Sequence, residues 1–163
     1  MVNKIVVLGV SGSGKSTIGQ MLADFLHYPF FDGDNFHPVN NVEKMRRGVP
    51  LSDHDRQEWL ITLNQIIQEN SHSVVACSAL KPEYRDRLKQ GNPDVVFVYL
   101  KGSYDTIWQR HKSRLDHYFN GEEMLKSQFS TLIEPLQDEA ISIDIQQSEE
   151  TVLQNILLKL IKN

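Results

Sequence analysis

The sequence contains one cysteine, Cys77, which excludes both an internal disulfide framework and a multi-cysteine zinc site. A single thiol fits a reducing compartment, and a cytoplasmic location is expected. Glycine and proline are sparse, at 9 and 6 of 163 residues. No Pro/Gly/Ser-rich linker, internal repeat or low-complexity tract is visible, so repeat and collagen-like architectures are excluded. No apolar run approaches the roughly 18 residues needed to span a bilayer. The apolar start, Met1 to Val10, is short and runs into Ser11-Gly12-Ser13-Gly14-Lys15 without a cleavage-type site. Neither a signal peptide nor a membrane partner is expected. Positive charge is not in excess either: 17 Lys and Arg stand against 21 Asp and Glu, a net −4. That balance disfavours general nucleic-acid binding.

What is present is an ordinary globular composition, 40% hydrophobic and 23% charged. A chain of this length is expected to form one domain, 1–163, burying roughly 70% of its unfolded surface. Ile5-Val6-Val7-Leu8 reads as a strand buried on both faces. Lys15 to Leu26 carries Ile18, Met21, Leu22, Phe25 and Leu26 at helical spacing. Further strands are expected at Pro29 to Phe31, Val74 to Cys77, Val95 to Leu100 and Ile141 to Ile145. Between them fall helical patterns: about Val42 to Arg47, one capped by Ser52 or Asp53, Pro82 to about Lys89, Ser103 to about His111, Glu122 to Ile133, and one opened by Ser148. Alternating β and α from end to end predicts an α/β fold, a parallel sheet covered by helices on both faces.

Gly9-Val10-Ser11-Gly12-Ser13-Gly14-Lys15-Ser16 fits G-x-x-x-x-G-K-[ST] at every fixed position, between a strand and a helix. Such a loop turns its backbone N–H groups, and those of the helix start, towards phosphate oxygens. Lys15 is expected to reach the β- and γ-phosphates, Ser16 to ligate Mg²⁺ and Thr17 to steady the helix start. The G-protein signature Asn-Lys-x-Asp is absent. At the exit of the second strand, Asp32-Gly33-Asp34 places two carboxylates where parallel sheets bind ligands. One can act through water on Mg²⁺ and the other can hold or deprotonate an acceptor hydroxyl; an Asx-turn is the alternative.

Asp32-Gly33-Asp34-x-Phe36-His37, then Asn41, Lys44-Met45, Gly48-x-Pro50-Leu51, Asp53-x-Asp55-Arg56 and Trp59-Leu60, resemble the bacterial gluconokinase family. Cys77 to Lys81 with Tyr84-Arg85-Asp86, and Ser127-Gln128-Phe129 with Leu132, Glu134 and Pro135, are similar to two further signatures of that family. The resemblance runs from Ile5 to about Pro135. It implies a three-layer P-loop kinase fold with a five-stranded parallel sheet and a lid, like nucleoside-monophosphate and shikimate kinases. It also implies ATP-dependent phosphorylation of D-gluconate at its 6-hydroxyl, and a homodimer. His117-Tyr118-Phe119 and Asn120-Gly121 depart from the family pattern, which has His-Phe-Met followed by a proline.

A carboxylate bearing many hydroxyls calls for an arginine fork, a lysine and hydrogen-bonding groups. Arg56 and Arg85 are expected to grip the sugar acid, with Asp34, His37, Lys44 and Lys81 beside them, within a substrate segment at about 33–70. Arg110 and Arg114 are expected to close over the transferring group from a lid at about 109–123, where His111 and His117 lack partners for a zinc site. Gln146-Gln147-Ser148 lies where the resemblance puts the adenine. Cys77 and Trp59 read as core residues. A kinase for another small polyol acid such as shikimate, a nucleotide-binding regulator and a nucleic-acid end kinase remain as alternatives.

Overall fold

The computed structural model of the chain describes residues 2–112 and 121–162. Its strands are β1 (Lys4–Leu8), β2 (Phe30–Asp32), β3 (Ser73–Ala76), β4 (Val95–Lys101) and β5 (Ala140–Asp144). They form one sheet in the order β2-β3-β1-β4-β5, with every neighbouring pair parallel. Ile5, Val6, Val7 and Leu8 are each at most 1% exposed. A central strand covered on both faces needs such an unbroken apolar run.

The helices are α1 (Lys15–Leu26), α2 (Val39–Arg46), α3 (Asp53–Glu69), α4 (Pro82–Lys89), α5 (Tyr104–Lys112), α6 (Gly121–Thr131) and α7 (Glu149–Ile161). Right-handed crossovers put α1 and α7, which touch, on one face and α3 and α4, also in contact, on the other. This is the expected three-layer P-loop kinase architecture. The cap of α3 is Ser52: its Oγ accepts from the Asp55 N–H while Asp55 accepts from the Ser52 N–H, a reciprocal box. Helix α2 begins three residues earlier than its apolar spacing indicates, because the Pro38 carbonyl accepts from the N–H groups of both Asn41 and Val42.

From β1 the chain passes beyond β3 to β2, and from β3 it crosses β1 to β4. The crevice at this reversal, above the carboxyl ends of β1 and β3, is where such sheets hold ligands. Gly33 lets the exit of β2 close onto β3, since a Cβ there would collide with the Ala76 carbonyl oxygen. Gly33→Ala should therefore cost roughly 1–3 kcal/mol of stability, read by urea denaturation, and displace the carboxylates on either side.

Candidate active site

The loop between β1 and α1 forms one wall. Gly9, Val10 and Ser13 are its buried foot, with the Ser13 N–H donating to the Val10 carbonyl at 3.1 Å. Ser11, Gly12, Gly14, Lys15, Ser16 and Thr17 line a cavity of about 240 Å³. Lys15 Nζ donates to the Val10 carbonyl at 3.2 Å, which holds the ammonium against the loop. Gly12 takes φ +83°, and a Cβ there would stand 2.7 Å from the His111 ring, so side chains are barred twice over.

The exit of β2 supplies the acids. Ser16 Oγ donates to Asp32 Oδ2 at 2.7 Å, while Asp32 Oδ1 accepts from the Asp34 N–H at 3.1 Å and caps the 3-10 turn Gly33–Phe36. Asp32 thus makes the turn while facing the loop through Ser16, and Asp34 is exposed and lines the cavity. Among the described residues no cluster of three His, Cys, Asp or Glu could hold a metal. The Ser16–Asp32 oxygen pair suits a hard cation that keeps several waters and takes phosphate oxygens, as Mg²⁺ does.

Opposite the loop stands a wall from the 3-10 turn, α2 and α3. The His37 ring stacks on Trp59, centroids 4.1 Å apart and 18° between planes, and Trp59 Nε1 donates to the Gly33 carbonyl at 2.7 Å. Arg56 donates to the Leu51 carbonyl at 2.8 Å and to Tyr84 Oη at 3.1 Å, with its guanidinium over the Tyr84 ring. Tyr84 in turn donates to Asp53, which Lys81 also holds at 3.0 Å. Burial, with Asp53 alongside, raises the Tyr84 phenol above its usual value, so it stays a donor. Arg56 thus reaches the cavity in a fixed pose.

Burial holds the His37 imidazole at about 4, against an ordinary 6.5; Asp34 opposes the shift and Arg56 adds to it. The unfolded chain takes up this proton as pH falls below 6.5, whereas the folded protein excludes it until about 4. Stability should drop across that window, and His37→Gln should flatten the drop, as urea midpoints at about pH 7, 5.5 and 4.5 would read.

The thermoresistant gluconokinase of Escherichia coli (strain K12) is 47% identical over 154 residues, 91% of this chain and 87% of that protein. The chain belongs to the gluconokinase family. The thermosensitive gluconokinase of the same organism is 44% identical, over 86% of this chain and 78% of that one. The family described as shikimate kinase matches residues 11–162. A crystal structure of a gluconokinase from Sinorhizobium meliloti 1021 superposes with a TM-score of 0.93 at 37% identity, covering 99% of this chain and 93% of that one.

Three basic residues expected to hold the acceptor of this gluconokinase-family protein do not line this cavity and are engaged by groups of the protein itself. Arg85 is 1% exposed, donating to the Ala79 carbonyl at 2.8 Å, to the Ile133 carbonyl at 3.0 Å and to Glu139. It staples the β3 exit to the segment after α6 and does not line the cavity. Lys44 is held by both Asp55 oxygens at 2.8–2.9 Å, and that contact draws the Asp55 carboxyl down to about 2. Lys81 spends its charge on Asp53. Neither lysine lines the cavity.

Arg110 borders a second cavity, of about 270 Å³, with Ser13, Gly14, Thr17 and Gln147, and its guanidinium donates to the Ile145 carbonyl at 2.8 Å. Arg114 and His117 lie outside the described residues. His111 is buried, with Nε2 3.1 Å from the Ser11 carbonyl oxygen, and Gln128 Oε1 accepts from the Ser11 N–H at 2.6 Å. Helices α5 and α6 thereby grasp both backbone polar groups of one loop residue. Nothing in the spacing of His111 or Gln128 indicates this. Trp59, read as core, is buried but also lines the cavity, and its indole N–H was the available signal. Burial pushes the Cys77 thiol up to about 12, so it packs as an inert apolar group.

Proposed function

We propose that this protein transfers the γ-phosphoryl group of ATP to the 6-hydroxyl of D-gluconate, giving 6-phosphogluconate. One observation carries this: a single cavity is lined on one wall by Lys15 and Ser16 and on the other by Asp34, His37 and Arg56. The loop N–H groups and Lys15 hold the triphosphate. Lys15 leaves the Val10 carbonyl for the phosphates and offsets charge on the transferring oxygens. Ser16, and Asp32 through water, would hold Mg²⁺, which screens the phosphates' charge. Asp34 accepts the proton of the 6-hydroxyl as its oxygen bonds to the γ-phosphorus and the bond to ADP breaks. Arg56 offers a planar fork to the sugar acid's carboxylate. The second cavity, with Arg110 and Gln147, fits the nucleoside end of ATP.

The test is Mg²⁺-dependent ADP release with D-gluconate, beside shikimate, a nucleoside monophosphate and no acceptor. Turnover with gluconate alone is expected; release with shikimate and none with gluconate would overturn the reading. A homodimer in the cytoplasm completes the proposal. Phe25, Leu158 and Ile161, 61%, 59% and 71% exposed on the touching helices α1 and α7, offer a face for a second copy, and light scattering reads the mass. No helix among the described residues is long and apolar enough to cross a membrane.

A further inference from the structure

Asn41 is 3% exposed, and neither cavity is lined by it. Its Nδ2 lies 2.8 Å from the Asp55 carbonyl oxygen and 3.2 Å from His37 Nδ1. A carbonyl oxygen only accepts, so the atom facing it is the amide nitrogen, and the orientation of the carboxamide is settled. The second hydrogen of that NH₂ group then points to His37 Nδ1, which must be the bare, accepting nitrogen of the ring. The proton of a neutral His37 is left on Nε2.

We infer that Asn41 is a positioning residue that fixes His37 as its Nε2–H tautomer, making the imidazole an uncharged hydrogen-bond donor to an oxygen of the phosphoryl acceptor. Trp59 covers one ring face and Asn41 takes Nδ1, so the Nε2–H edge is the polar part of this cavity-lining ring left for a ligand. The half-buried, neutral state of the ring agrees with this. The charged groups in electrostatic reach are Asp34 on the same turn and Arg56 from α3. Asn41 is itself held by the Asp55 backbone carbonyl, and the Asp55 side chain completes the capping box of α3 and pairs with Lys44. A neutral donor between an acid and an arginine favours an oxygen lone pair without adding charge, which suits a hydroxyl-rich acid.

The kinetic half of the test rests on the gluconate reading; the spectroscopic half does not. Long-range ¹H–¹⁵N spectra of the labelled, unliganded protein at about pH 7 should report His37 protonated at Nε2 and bare at Nδ1. Asn41→Asp puts an acceptor in place of the donor, so His37 should carry its proton on Nδ1. The KM for gluconate should then rise about 3- to 10-fold with the KM for ATP little changed, the size of one lost hydrogen bond. His37→Gln, which keeps an N–H near the Nε2 position, should retain more gluconate affinity than His37→Ala. A wild-type His37 protonated at Nδ1 or at both nitrogens would overturn the inference, even if Asn41→Asp fails to fold. So would a tautomer unmoved by Asn41→Asp, or one that switches while the gluconate KM stays the same. Absence of any turnover with gluconate would sink the substrate assignment and leave the tautomer result standing.

Discussion

Asp34→Asn should lower kcat about 10²- to 10⁴-fold, the range for loss of a positioned general base, with the KM for ATP within about twofold of wild type. The two aspartates are one residue apart across Gly33 yet differ in surroundings. Asp32 is spoken for, with one oxygen on Ser16 and the other on the Asp34 N–H. Asp34 is exposed at the cavity that the phosphate loop also lines. Asparagine keeps the shape and the 3-10 turn but cannot take a proton, so the loss should fall on kcat. Near-full turnover would remove Asp34 as base and leave it a positioning group. Asp32→Asn should differ in kind: half-maximal activity should need a higher Mg²⁺ concentration than in the wild type, which a titration of the metal would show.

Arg85→Met should destabilise the protein by about 2–4 kcal/mol, the cost of stranding the carbonyl acceptors it serves, with kcat/KM per folded molecule close to wild type. The guanidinium is almost wholly enclosed and serves two carbonyls and Glu139. Methionine fills much of the volume but leaves the buried Ala79 carbonyl and the part-buried Ile133 carbonyl without their donor, and an unsatisfied buried acceptor is costly. Glu139 is partly exposed and can turn to water, so most of the loss lies in the carbonyls. Urea denaturation and assays well below the unfolding midpoint separate the two effects. A gluconate KM raised more than tenfold at unchanged stability would return Arg85 to the acceptor site.

Helices α1 and α4 span the residues that the spacing indicates, because Gly14-Lys15 and Pro82 punctuate the chain locally. The strands agree to within about a residue, since short continuous runs of β-branched or aromatic residues are recognisable without their neighbours. The phosphate loop and the paired aspartates were legible for the same reason: all their chemistry lies within eight residues and three residues of chain. The partners of Lys44, Lys81 and Arg85 are not legible in the sequence, because a basic residue's partner is whichever carboxylate or carbonyl folding brings to it. Their partners are 11, 28 and 54 residues away.

The sequence by itself determined the α/β/α architecture, the phosphate loop and the family, each carried by local periodicity or contiguous motifs. Tertiary structure alone decided which polar groups face the cavity. It sent Arg85 into the interior and set Asn41 behind His37. It also laid His111 and Gln128 on Ser11 from 100 and 117 residues away. The physical reason is that a buried polar group must find a partner wherever the fold offers one. That choice is made by packing across the sheet, where distance along the chain no longer counts.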